Sequence, residues 1–83
     1  MKKKTHEYSS TALKQEIIKN ARSLGLAENW AATIAEQTVK TVDAWVASRS
    51  IVTENDIRRV AYKKLKELNA DVAYIYQNHG KIL

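Results

Sequence analysis

The chain predicts an all-α fold, a compact domain of four helices. Proline is absent and glycine occurs only at positions 25 and 80, so few positions would interrupt a helix. Four segments place apolar residues at helical spacing, and none shows the alternation typical of a half-buried strand. We therefore expect a single domain over 1–83, with a basic, at most briefly extended arm over 1–8 and a helical core over 9–80.

The first helix is predicted over 11–24. Leu13 and Ile17 lie one turn apart on its apolar side. A serine or threonine before it can cap the free backbone N–H groups at its start. Gly25 can adopt the left-handed conformation that commonly follows a helix, so the helix should end there.

The second helix is predicted over 28–48 and is the longest. Its broad apolar stripe includes Trp30, Ile34 and Val42. Trp30 and Trp45 are separated by about four helical turns and should face the same side. The sequence therefore predicts that both tryptophans anchor the core or a dimer interface.

The third helix, over 54–68, begins at a recognisable start signal. The Thr53 hydroxyl can accept from a first-turn N–H while the Asp56 carboxylate reaches back to the Thr53 N–H. The fourth helix is predicted over 71–79. One of its tyrosines, Tyr74 or Tyr76, should pack while the other is exposed, because the two point to different sides.

The stripe positions of the four helices are expected to meet in one core. The predicted core residues are Leu13, Ile17, Trp30, Ile34, Ile57, Val60, Leu65, Val72 and Ile75.

Composition excludes several kinds of chemistry. The chain has no cysteine, which removes disulfides, thiolate catalysis and cysteine-rich zinc sites. Its two histidines, His6 and His79, have no companion at ligand-like spacing, so no metal site is predicted. Acidic residues are expected to pair along their own helices, as Glu36 would with Lys40. No catalytic constellation is present, and we expect a protein that is not an enzyme and requires no cofactor.

The charge balance points to an anionic partner. The formal net charge of +5 comes from the N-terminal lysines, the first helix and the third helix, so nucleotide phosphates, nucleic acid or an acidic protein surface would be attracted. No apolar run approaches the roughly 20 residues needed to span a bilayer, and no apolar segment follows the N-terminal lysines. We expect a cytoplasmic protein without a membrane partner.

Two segments resemble the ATP-cone, a small helical regulatory domain. The stretch Leu68-Asn69-Ala70-Asp71-Val72-Ala73-Tyr74 is similar to the turn and Val-Ala-Tyr triplet that open the last helix of that family. Tyr8-Ser9-Ser10 resembles the point at which an ATP-cone leaves its N-terminal hairpin. The order and lengths of the predicted helices agree with the family over about residues 8 to 79.

The resemblance implies a stand-alone regulatory module that binds a purine nucleotide, ATP or dATP, or a protein partner. It also implies phosphate contacts from the N-terminal arm and the first helix, where this sequence has Lys3, Lys4 and Lys14. The chain departs from the family before Tyr8, where the segment is too short for two paired strands and lacks a glycine turn. That departure weakens the expectation of nucleotide binding.

Two other hypotheses remain open. The chain can be a small basic nucleic-acid-binding protein with histone-like helices, in which Arg59, Lys63 and Lys66 on one side of the third helix contact phosphates. It can also be a helical interaction module that forms a homodimer through Trp30 or Trp45.

Overall fold

The computed structural model describes the backbone of residues 8–80 and the side chains of residues 8–78. Within that range the chain forms four α-helices and no strand. They are α1 (Ser10–Ser23), α2 (Glu28–Ala47), α3 (Glu54–Leu68) and α4 (Ala70–Gly80). The predicted all-α, four-helix fold is confirmed, and every predicted helix end lies within one residue of the observed one. The expectation of an extended basic arm falls on residues outside the described range.

Local signals account for the ends of α1. The Ser9 hydroxyl accepts a hydrogen bond from the Ala12 N–H at 3.1 Å and so caps the first turn. After the last turn, Gly25 adopts a φ of 82°, which a residue with a Cβ rarely tolerates. The chain can therefore reverse direction and begin α2 within a few residues.

The start of α3 is the capping box that the sequence predicts. The Thr53 hydroxyl accepts from the Asp56 N–H at 3.1 Å, and the Asp56 carboxylate accepts from the Thr53 N–H at 3.2 Å. Hydrogen bonding by Thr53, above all from its backbone N–H to the carboxylate, lowers the pKa of Asp56 because it favours the charged form.

Only one residue separates α3 from α4. The Asn69 side-chain oxygen accepts from the N–H groups of Asp71 and Val72, at 3.0 and 3.2 Å. Because Asn69 satisfies two free donors at the start of α4, the chain can turn sharply and begin a new helix at once.

The helices form a ring in which α1 and α3 each pack on both α2 and α4. The core lies inside this ring. Its fully buried members include Ile17, Ala21, Ala31, Ile34, Ala35, Val42, Ala61, Leu65 and Val72. Most of the predicted core is confirmed, because Leu13, Ile17, Ile34, Ile57, Leu65 and Val72 are all buried.

The prediction that Trp30 lies in the core is wrong. Trp30 is 42% exposed, while its neighbour Ala31 is fully buried. At about 100° per residue, Trp30 lies at the edge of the buried stripe that Ala31, Ile34 and Ala35 form on α2, so its large ring reaches the surface. Val60 and Ile75 are half-buried rather than buried. Trp45 is half-buried, packs against the core and lies beneath the Arg49 guanidinium, which is 4.7 Å from its ring centroid.

Two polar side chains lie inside the helix ring. Asn20 on α1 is 1% exposed and Thr38 on α2 is fully buried. The amide atoms of Asn20 and the hydroxyl of Thr38 make no hydrogen bond with the described part of the chain. Burial of polar groups without partners costs stability, so these positions weaken an otherwise apolar core.

No helix within residues 8–80 combines the length and apolar character needed to cross a membrane.

Candidate functional site

A cleft of about 130 Å³ opens where the start of α1 meets α3 and α4. Its main walls are Tyr8, Ala12, Glu16, Glu54, Arg58 and Tyr76. The cleft exists because α1 and α3 do not pack directly on each other and approach only through side chains, such as those of Glu16 and Arg58. It is the position, near the start of α1, at which the family resemblance leads us to expect a nucleotide.

Arg58 is the central cation of the cleft. Its guanidinium lies 5.0 Å from the ring centroid of Tyr76, 3.5 Å from the Glu16 carboxylate and 3.9 Å from the Glu54 carboxylate. One of its nitrogens, Nη1, is buried and makes no hydrogen bond with the described residues. The cleft therefore holds the Arg58 guanidinium between two carboxylates, and the Nη1 group of this guanidinium is a hydrogen-bond donor without an acceptor among the described residues.

Tyr8 forms the edge of the cleft and is held there by α2. Its hydroxyl donates to Asp43 Oδ1 at 2.6 Å, and the Ser10 hydroxyl donates to the same oxygen at 2.9 Å. Burial, and secondly the hydrogen bond to Asp43, raises the pKa of Tyr8 to about 12. Tyr8 is therefore neutral at physiological pH and can serve as the donor in this contact.

Tyr76 closes the inner end of the cleft. Its ring is 2% exposed, and burial raises the pKa of its hydroxyl to about 12. Tyr74, two residues earlier and on the other side of α4, is 66% exposed. The prediction that one of these two tyrosines packs while the other is exposed is confirmed.

Of the three candidate phosphate-binding lysines, only Lys14 lies within the described residues. Lys14 lies on the flank of α1 that faces α2, where its ammonium group is 3.6 Å from the Glu36 carboxylate. It does not line the cleft. Lys3 and Lys4 lie outside the described residues.

Sequence reasoning did not predict the place of Arg58 in the cleft. A signal was present, because Arg58 directly follows the core residue Ile57 and so lies at the edge of the buried stripe of α3. What the sequence lacked was the identity of the neighbouring helix, which supplies Glu16 and Tyr76.

The expected pairing of acids within their own helices is wrong for Glu16, Glu36 and Asp43. Glu36 pairs with Lys14 rather than Lys40, and Glu16 pairs with Arg58. Asp43 accepts hydrogen bonds from Tyr8 and Ser10. These acids link helices or helix starts that are distant in sequence. Glu67 follows the expected pattern, with Lys64 at 3.6 Å, and so do Glu54 with Arg58 and Asp56 with Arg59 on α3.

The cations predicted for nucleic acid lie together on the outer side of α3. Arg59, Lys63 and Lys66 are all exposed and follow each other at intervals of four and three residues, so they share one face. Arg59 contacts the Asp56 carboxylate at 3.1 Å, and the Lys66 ammonium lies 5.9 Å from the Tyr62 ring centroid. Lys63 takes part in none of the ion pairs found among the described residues.

Among the described residues, no group of three histidine, aspartate or glutamate side chains is arranged to hold a metal ion. No protein-family model matches the chain, and no curated protein or solved structure matches it.

Proposed function

We propose that the chain is a stand-alone, ATP-cone-like regulatory module that binds a purine nucleotide with its base in the cleft between Tyr8 and Tyr76. The observation that carries this proposal is the cleft itself, a space of about 130 Å³ between aromatic rings at the start of α1. The helix order and lengths support it further, because they agree with those that the resemblance implies.

The cleft chemistry favours a base that carries an amino group. The Glu16 and Glu54 carboxylates are hydrogen-bond acceptors, and the exocyclic amine of adenine is a donor. Stacking of the base on the Tyr8 ring would contribute roughly 1–3 kcal/mol, and Arg58, which covers the Tyr76 ring, presents a planar guanidinium on the other side. Inosine triphosphate, which has a carbonyl oxygen where adenine has the amine, would place an acceptor against these acceptors and should bind more weakly than ATP.

The phosphates would lie outside the cleft, toward the start of α1. The first turn of α1 contains no acidic residue, and a helix start favours anions through its free N–H groups and its dipole. In this proposal Lys3 and Lys4 contact the phosphates. Lys14 contributes only if it leaves Glu36, since that pair now holds it on the other flank of α1.

A pair of matched substitutions tests the proposal. Ala12 is exposed and lines the cleft, so Ala12→Leu should fill the space while keeping the helix. Ala47→Leu makes the same change at an exposed position of α2 away from the cleft. By titration calorimetry, Ala12→Leu should weaken ATP and dATP binding at least about tenfold and Ala47→Leu should not. Equal affinity of both variants for ATP would contradict the base placement.

A second candidate function rests on the outer face of α3. The exposed cations Arg59, Lys63 and Lys66 form a stripe that suits phosphates of a nucleic acid. The triple change of these residues to glutamine should then weaken binding of a short DNA duplex and reduce its salt dependence, and should leave ATP affinity unchanged. If the triple variant binds the duplex as tightly as the parent chain, this second function is wrong.

A further inference from the structure

We infer that the exposed face of α2 is a self-association surface, through which two copies of this chain pack antiparallel about a two-fold axis near Gln37. The inference is independent of nucleotide binding. We call this face the α2 seam, and its residues are Trp30, Thr33, Gln37, Thr41, Ala44 and Ser48.

The α2 seam is uncharged, although 28% of the chain is charged. Five of its six residues are exposed, and Thr41 is half-buried. Successive seam residues are three or four positions apart, so they form one continuous stripe along about 27 Å of helix. An uncharged stripe of this length with an exposed tryptophan is typical of a surface that packs against another helix.

The hydroxyl groups of the seam are already satisfied by their own helix. Thr33 donates to the Asn29 carbonyl at 2.9 Å, Thr41 to the Gln37 carbonyl at 3.1 Å and Ser48 to the Trp45 carbonyl at 2.8 Å. Because these groups need no water, a second helix can cover them without leaving unpaired donors.

The order of side chains along the seam fits an antiparallel copy of itself. Thr33 and Thr41 lie four residues to either side of Gln37, and Trp30 and Ala44 lie seven residues to either side. In a two-fold pair centred on Gln37, the large Trp30 of each copy faces the small Ala44 of the other, and Thr33 faces Thr41. A parallel pair would set tryptophan against tryptophan and alanine against alanine, which leaves the sizes mismatched.

Charges beside the seam fit the same arrangement. Lys40 is exposed next to the seam and takes part in none of the ion pairs found among the described residues. The Glu36 side chain on that flank is 64% exposed. In the antiparallel pair like flanks adjoin, and Lys40 lies within about 3 Å, measured along the helix axis, of Glu36 of the second copy. Opposite charges therefore meet on this flank.

Substitution at the two-fold axis gives a sharp test. In a dimer centred on Gln37, Gln37→Glu sets two carboxylates against each other and Gln37→Lys sets two ammonium groups against each other. Each variant alone should therefore associate at least about tenfold more weakly than the parent chain. An equimolar mixture of the two variants should regain association, because opposite charges then meet. The same exchanges at exposed Gln77 of α4 are the matched controls and should change nothing.

Sedimentation equilibrium without nucleotide measures the result. The apparent mass of the parent chain should rise with concentration from 9.4 kDa toward twice that value. A mass that stays at 9.4 kDa up to millimolar concentration would overturn the inference. So would a dimer that Gln37→Glu and Gln37→Lys leave intact, or two variants that remain monomeric when mixed. Circular dichroism of each variant verifies that the fold is retained.

Discussion

The Tyr8 hydroxyl donates a hydrogen bond of 2.6 Å to Asp43, which lies 35 residues later on α2. This contact fastens the residue before α1 to a distant helix, and it holds the Tyr8 ring at the edge of the cleft. The geometry of the candidate site therefore depends on one hydrogen bond between elements that are far apart in sequence.

Tyr8→Phe should lower the free energy of unfolding by about 1 kcal/mol, because it removes one hydrogen bond and keeps the ring. Urea denaturation measures the change. Tyr74→Phe is the control, because Tyr74 is 66% exposed and its hydroxyl makes no hydrogen bond with the described residues. This substitution should leave the free energy of unfolding nearly unchanged. Equal stabilities of the two variants would show that the Tyr8 contact contributes nothing.

Alkaline pH should destabilise the fold through Tyr8 and Tyr76. The pKa values of Tyr8 and Tyr76 are raised from 10.0 to about 12 in the folded chain. A raised pKa favours the neutral form on folding, so this stabilisation is complete below the unfolded value and is lost as pH rises toward about 12. Melting temperatures measured across this range should fall, and less steeply for Tyr8→Phe than for the parent chain. Parallel curves would contradict the assignment of Tyr8.

The capping box should be the most sensitive polar feature of α3. Thr53→Ala removes the acceptor for the Asp56 N–H and should cost about 0.5–2 kcal/mol. Thr11→Ala changes an exposed threonine inside the first turn of α1 and should cost less. Urea denaturation measures the free energy of unfolding of both variants. An equal loss would mean that the Thr53 cap contributes no more to stability than an ordinary exposed threonine.

Acid should weaken the same cap. The pKa of Asp56 is lowered in the folded chain, so its contribution is present above the ordinary value of 3.8 and is lost as pH falls below it. Asp56→Asn should therefore show a smaller loss of stability between neutral and acid pH than the parent chain. A parent-like acid profile for Asp56→Asn would contradict this.

Thr38→Val should raise stability by about 1 kcal/mol. It replaces a buried hydroxyl that has no partner among the described residues with a methyl group of similar size. Thr33→Val, at an exposed position, is the matched control and should change little in dilute solution. If Thr38→Val is less stable than the parent chain, its hydroxyl has a favourable partner.

Local signals made the helix ends predictable from sequence. Thr53 and Asp56 form a cap that depends only on residues within one turn, and Gly25 ends its helix through its own backbone freedom. Such features need no knowledge of the tertiary arrangement. The prediction over 54–68 accordingly matches α3 at both ends.

Which of two adjacent residues is buried, and which side chains pair between helices, was not predictable in the same way. Trp30 is larger than Ala31 and was predicted in the core, yet Ala31 is fully buried and Trp30 is 42% exposed. Lys14 pairs with Glu36 and Arg58 with Glu16 because of which helices are neighbours. Hydrophobic periodicity within one helix carries no information about which helices become neighbours in the fold.

Amide chemical-shift mapping with ATP tests the central claim most directly, because it reports where a nucleotide binds. The account predicts that shifts saturate and cluster around the cleft, at Tyr8, Ala12, Arg58 and Tyr76, and that inosine triphosphate produces them only at higher concentration. Shifts that never saturate, or that are confined to the outer face of α3 around Arg59, Lys63 and Lys66, would contradict nucleotide binding in the cleft.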